Sequence, residues 1–140
     1  MSRTPREILE AATVVAVVGA SRNIDKSAYA IPRQLQMFGF RVIPVNPFAE
    51  SILGEKSYPT LASIPEKVDL VNVFRPSEDA AEVVRQAIAI GAPAVWLQQG
   101  IVSDEGRRLA EEAGIDYVED RCTGTERALA GIDKRSLADR

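Results

Sequence analysis

Val14 to Val18 form an unbroken apolar run between Thr13 and Gly19. A strand with one solvated face alternates polar and apolar side chains, so a continuous, mostly β-branched run belongs inside a sheet that is covered on both faces. Such sheets are parallel, with helices returning the chain between strands. The run closes on Gly19-Ala20-Ser21, with Arg22 beyond it. A small-residue turn at the carboxyl end of a buried parallel strand is where α/β folds receive phosphate groups.

With 140 residues the chain can bury a core without disulfides or a structural metal, and residues 1–140 are expected to form one domain. The net charge of −3 arises from interspersed acids and bases, which leaves no footprint for nucleic acid and no basic membrane-surface helix. Cys122 is the only cysteine, so it has no internal disulfide partner and suits a reducing cytoplasm. The N-terminal MSRTPREILEAA lacks the apolar core of a signal peptide, and no apolar run approaches the roughly 18 residues of a membrane span. A cytoplasmic protein without membrane contact is expected. The absence of histidine excludes histidine triads, the usual zinc ligand sets and phosphohistidine chemistry.

Beyond Gly19, residues Ala28, Ile31, Leu35 and Phe38 fall at helical spacings. Pro32 lies inside this pattern, so the regular helix is expected to begin near Ile31 after a looser turn. Arg41–Val45 reads as the second strand, with Pro44 marking it as short or as turning an amide away from the ladder. Phe48–Tyr58 reads as a loop, Leu61–Ile64 as a short helical turn and Asp69–Phe74 as the third strand. Ser77 and Ser103 stand as caps of two acid-first helices that stop at Gly91 and Gly114. Strands Ala94–Leu97 and Ile115–Val118 follow these helices, and a last helix near Gly124–Ala130 precedes a frayed end. The alternation predicts a Rossmann-like α/β fold, a doubly wound parallel five-stranded sheet with helices on both faces. The expected strand order is 3-2-1-4-5, with the ligand crevice between the first and fourth strands.

In such a sheet the strand ends share one edge: Gly19–Arg22, Asn46-Pro47, Phe74-Arg75-Pro76, Gln98-Gln99-Gly100 and Asp120-Arg121-Cys122. Amides after Gly19 and near Gly100 flank the expected crevice and are candidate phosphate donors, unless both glycines only make turns. A dinucleotide fingerprint fits poorly, since Ser21 and Ile24 replace its later glycines and Asn46 stands where an acid would hold the ribose. A P-loop fails outright, because no Gly-Lys-Ser/Thr follows Gly19.

Taken together, VVGAS, the helix after it, RVIPVNP, VDLVNVFR, VWLQQGI and the terminal DRC resemble the small single-domain CoA-binding protein family. The domain is also similar to the N-terminal CoA-binding domain of the succinyl-CoA synthetase α-subunit. This resemblance implies coenzyme A as ligand, with the pyrophosphate at Gly19, Ala20, Ser21 and Arg22 and the adenosine near Val45, Asn46 and Pro47. Phe74 and Arg75 would form a neighbouring wall, and Gln98, Gln99 and Gly100 would contribute mainly backbone. The related acyl-CoA ligases use a phosphorylated histidine from a second domain, so the resemblance implies no ligase activity for a chain without histidine.

Arg22, Lys26 and Arg75 are candidate partners for the negative charges of CoA, Arg22 foremost, or else solvated surface cations. Ser27, at the start of the helix, joins this set of binding residues. Ser21 either donates to a phosphate oxygen or caps the next segment, and Asn46 either bonds the nucleoside or forms an Asx turn. Phe74 either stacks on adenine or packs in the core, while Trp96 reads as core. Cys122, beside Arg121, is either an inert thiol or one able to exchange with CoA disulfides. The function expected is binding of CoA or an acyl-CoA without catalysis, as a sensor, a carrier or a partner subunit. Its partner would be a separately encoded chain or a second copy. The alternative is an NAD(P)-binding oxidoreductase with a drifted fingerprint.

Overall fold

In the computed structural model, which describes residues 2–140, the apolar run Val14–Val18 is strand β1, and four of its five residues are buried. The helices are α1 (Pro5–Ala11), α2 (Ser27–Met37), α3 (Ser77–Ala89), α4 (Asp104–Ala113) and α5 (Thr123–Ala130). The remaining strands are β2 (Arg41–Val45), β3 (Ser51–Ile52), β4 (Glu55–Lys56), β5 (Leu70–Val73), β6 (Ala94–Leu97) and β7 (Asp116–Val118). Strand alternation sorts the core into two layers. Val15 and Val17 pack with Ile8, Leu9 and Leu35 under α1, α2 and α5. Ala16 and Val18 pack with Ala80, Val84 and Ala110 under α3 and α4.

The sheet is parallel, five-stranded and doubly wound, as the sequence predicts, but its order is β2-β1-β5-β6-β7. Counting sheet strands along the chain, this is 2-1-3-4-5, which corrects the expected 3-2-1-4-5. The physical reason lies in Pro44. An order 3-2-1 would enclose the second strand between two neighbours, whereas a proline without an amide proton is tolerated at an edge. β2 is accordingly the edge strand of the sheet. Pro44 stands in register with Val17, and on the outer side its carbonyl accepts from the Tyr58 amide at 3.0 Å in an isolated bridge rather than a full ladder. Fully buried β5 takes the central place beside β1.

Other differences are local. α1 was not assigned from sequence, although Thr4 and Glu7 form a capping box at its start. α2 begins at Ser27 rather than near Ile31 and keeps Pro32 inside. The expected loop Phe48–Tyr58 contains the ribbon β3–β4, turned through Leu53 and Gly54 at φ +56° and +74°. The Ser77 hydroxyl does not cap α3 but accepts from the Val102 amide at 3.1 Å, whereas Ser103 caps α4 as expected. The chain after α5 does not fray at once, because the Lys134 amide donates to the Phe38 carbonyl at 2.7 Å.

The Asp69 carboxylate, just before β5, accepts from the amides of Thr13 and Val14 at 3.0 and 2.8 Å and pins the amino end of β1. Asp69→Ala leaves both donors unpaired and lowers unfolding free energy by about 1–3 kcal/mol, measured by urea denaturation. An unchanged midpoint would show that water replaces the carboxylate without cost.

Candidate functional site

β1 and β5 are neighbours, but the chain leaves β1 towards α2 on one face and β5 towards α3 on the other. The connections leaving their carboxyl ends therefore part, the arrangement that creates a ligand crevice in doubly wound sheets. A cleft of about 630 Å3 lies there. Gly19, Ala20, Ser21, Lys26 and Ala28 wall it on the α2 side, Val45 to Phe48 at the end of β2, and Phe74 and Arg75 at the end of β5. A face of α3 completes it.

Gly19 is placed by two demands. Its φ is +89°, and a Cβ there would stand 3.1 Å from the Phe74 carbonyl oxygen and 3.2 Å from Arg75 Cδ. Only glycine meets both the left-handed conformation and the close approach. Its amide donates to the Val45 carbonyl at 3.1 Å, tying the turn to β2. The Ser21 amide donates to the Ala28 carbonyl at 3.1 Å. Ala28 stands four residues before Pro32, so in an unbroken helix the amide of residue 32 would bond this carbonyl, and proline has none to give. The internal proline thus leaves an acceptor that draws the turn onto α2. The Ser21 hydroxyl accepts from the Asn23 amide at 3.0 Å and keeps its own proton to donate.

Asn46 makes the Asx turn, accepting from the Phe48 amide at 2.8 Å, while its amide nitrogen donates to the Ala20 carbonyl at 2.9 Å. Both ends of its side chain are engaged. Phe74 packs against the core layer of α1, α2 and α5, and Trp96 is fully buried. The Arg75 guanidinium donates to Asp79 at 2.8 Å.

The cleft gathers Gly19, Ala20, Ser21, Lys26, Val45, Asn46, Pro47, Phe74 and Arg75, but its lining does not include Arg22, Ser27, Gln98, Gln99 or Gly100. Arg22 is exposed on the segment between β1 and α2, and Ser27 is exposed at the first residue of α2. The end of β6 is separated from β1 by β5, a consequence of the corrected strand order. There the side-chain oxygen Oε1 of buried Gln98 accepts from the Thr123 amide and hydroxyl at 3.0 and 2.9 Å, and the Gly100 amide donates to Asp120 at 2.7 Å. Cys122 is a half-buried free thiol at the N-cap of α5.

Sequence reasoning missed the α3 wall, formed by Asp79, Glu82, Val83 and Gln86. Their spacing, 79, 82, 83 and 86, marks one helical face. It runs beside the core stripe Ala80, Val84 and Ala87. Phe48, 87% exposed at the mouth, was also missed.

The sequence profile of the CoA binding domain matches residues 13–128. The chain belongs to this family. As a CoA binding domain it is similar to the uncharacterized protein YneT of Bacillus subtilis (strain 168), 35% identical over 89% of this chain and 92% of that one. It is similar to a hypothetical protein of known structure from Pyrococcus horikoshii OT3, 37% identical with TM-score 0.87, over 90% of this chain and 89% of that one. It also resembles part of an ADP-forming acetate–CoA ligase, form II, of Archaeoglobus fulgidus, 35% identical over 69% of this chain. The match spans only 15% of that ligase. Among the described residues no cluster of acids and cysteine is arranged to hold a metal, and no helix is long and apolar enough to cross a membrane.

The apolar side chains of Val18, Val45 and Val83 line the cleft beside the polar turn and Lys26. Gly19→Ala costs about 1–3 kcal/mol in thermal or urea unfolding, from the positive φ and the Phe74 contact. Pro32→Ala restores an amide that competes for the Ala28 carbonyl. Hydrogen exchange at the Ser21 amide then quickens while exchange in β1 is unchanged, and equal Ser21 protection in the two proteins would exclude the coupling.

Proposed function

We propose that this chain binds coenzyme A or an acyl-CoA in the cleft between the ends of β1 and β5, and performs no catalysis of its own. The observation that carries this reading is the convergence of the Gly19 turn, the Val45–Pro47 segment and Arg75 on one switch-point cleft in a member of the CoA binding domain family. In this reading the pyrophosphate lies along Gly19, Ala20 and Ser21, with Lys26 as cation and Arg22 and Ser27 on the rim. The adenosine rests against Val45 and Pro47, and the full engagement of Asn46 counts against a ribose-diol role of the NAD kind. Gln98 and Gly100, whose polar groups already meet Thr123 and Asp120, and Gln99 beside them lie outside the cleft lining and are given no ligand contact in this reading.

Residues 1–140 act as one domain in this proposal, and the free Cys122 supports a reducing, cytoplasmic setting. The lack of histidine and the small fraction of the ligase that the chain matches support a sensor, a carrier or a subunit of a separately encoded enzyme. Calorimetric titration distinguishes the ligands. CoA binds, NAD and NADP bind at least tenfold more weakly, and Lys26→Ala weakens CoA about 3- to 5-fold at low salt. Micromolar NAD binding without CoA binding would overturn the proposal.

A further inference from the structure

The cleft carries its own anion. Arg75 leaves the end of β5 across Gly19, its Cδ 3.2 Å from where a Cβ of that glycine would stand, and its guanidinium donates to the Asp79 carboxylate at 2.8 Å. Both side chains line the cleft and both are about half exposed, 51% and 45%. With the pyrophosphate along Gly19 to Ser21, a monoester phosphate of the ligand that reaches Arg75 meets a cation that is already engaged.

We infer that Asp79 sets the ligand specificity of this cleft by standing in for a ligand phosphate on Arg75, so that only a strongly charged nucleotide displaces it. The inference rests on the CoA reading and names the feature of CoA that the site selects. An exposed Arg–Asp pair contributes little and is readily exchanged. A phosphomonoester carries close to two charges and three acceptor oxygens, against one charge and two oxygens for the carboxylate. Displacement leaves the Asp79 carboxylate unpaired in the cleft with Glu82 nearby on the same helical face, and both repel the incoming anion. A nucleotide with only singly charged phosphodiester groups gains less from Arg75 than CoA does and meets the same repulsion. A neutral nucleoside has no reason to move Arg75 at all.

The test is calorimetric titration of wild type, Asp79→Asn, Arg75→Ala and the double variant with CoA, dephospho-CoA and adenosine at low salt. Circular dichroism first checks that each variant is folded. Asp79→Asn is expected to tighten CoA about 3- to 10-fold and dephospho-CoA by a larger factor, leaving adenosine within about twofold. In the Arg75→Ala background the gain shrinks to less than about twofold, because the asparagine then frees no guanidinium. Unchanged or weaker CoA binding by Asp79→Asn overturns the inference, as does an undiminished gain without Arg75, which would mark general charge removal. If neither wild type nor Asp79→Asn binds CoA, the CoA reading itself falls and takes the inference with it. If wild type binds and Asp79→Asn gains nothing, the inference alone falls.

Discussion

The passage of Gly19 against the Phe74 carbonyl is the contact on which the rest of the molecule depends. β1 and β5 can end side by side only because no side chain stands between them, and their ends are where the two helical layers separate. On one side the chain enters α2, whose Leu35 packs with Val15 and Val17. On the other it enters α3, whose Ala80 and Val84 pack with Ala16 and Val18. A Cβ there would stand 3.1 Å from the Phe74 carbonyl oxygen, so a larger residue strains the backbone at positive φ and presses on the neighbouring strand end. The cleft and the core are therefore set by one close approach.

Much of the fold was legible because buried parallel strands write unbroken apolar runs and their covering helices write a three-to-four spacing. β6 falls on Ala94–Leu97 as read, and Ser103 caps α4 as read. Strand order was less legible, since it depends on which strand the returning chain passes rather than on local pattern. Pro44 nevertheless held the information. Its missing donor marks the strand as short or as turning an amide away from the ladder, and the second of these also means that only one side of the strand carries a full ladder. The ribbon β3–β4 escaped because each strand has only two residues, too short for any periodicity.

The site divides along the same line. Segments after β1, β2 and β5 were found because all parallel strands end at one edge, whatever their order. The segment after β6 was assigned to the crevice by the expected order as well as by the family resemblance. With β5 interposed it lies outside the cleft lining, and the Gln98 side chain meets Thr123 while the Gly100 amide meets Asp120. The α3 wall is hidden in the sequence because Asp79, Glu82, Val83 and Gln86 run one residue over from the buried stripe Ala80, Val84 and Ala87, and nothing local says that this second face borders a cleft. Pro32 was read as delaying α2. It lies within the helix, and the carbonyl it leaves free is what holds the turn at Ser21.

The acids of the cleft wall pose a conflict between fold and ligand. Glu78 and Asp79 occupy the first turn of α3, where negative charge favours the helix by interaction with its exposed amides. A polyanionic ligand would want that same helix end free of acids. Arg75 reconciles the two, since its position four residues before Asp79 lets it neutralise the carboxylate while its stem stays against Gly19. The helix keeps its stabilising acid, and the cleft keeps a cation that is ordered before any ligand arrives. Because the pair is half exposed, water screens it enough that exchanging one anion for another costs little. A buried pair at the same place would hold the helix more firmly and be of no use to a ligand.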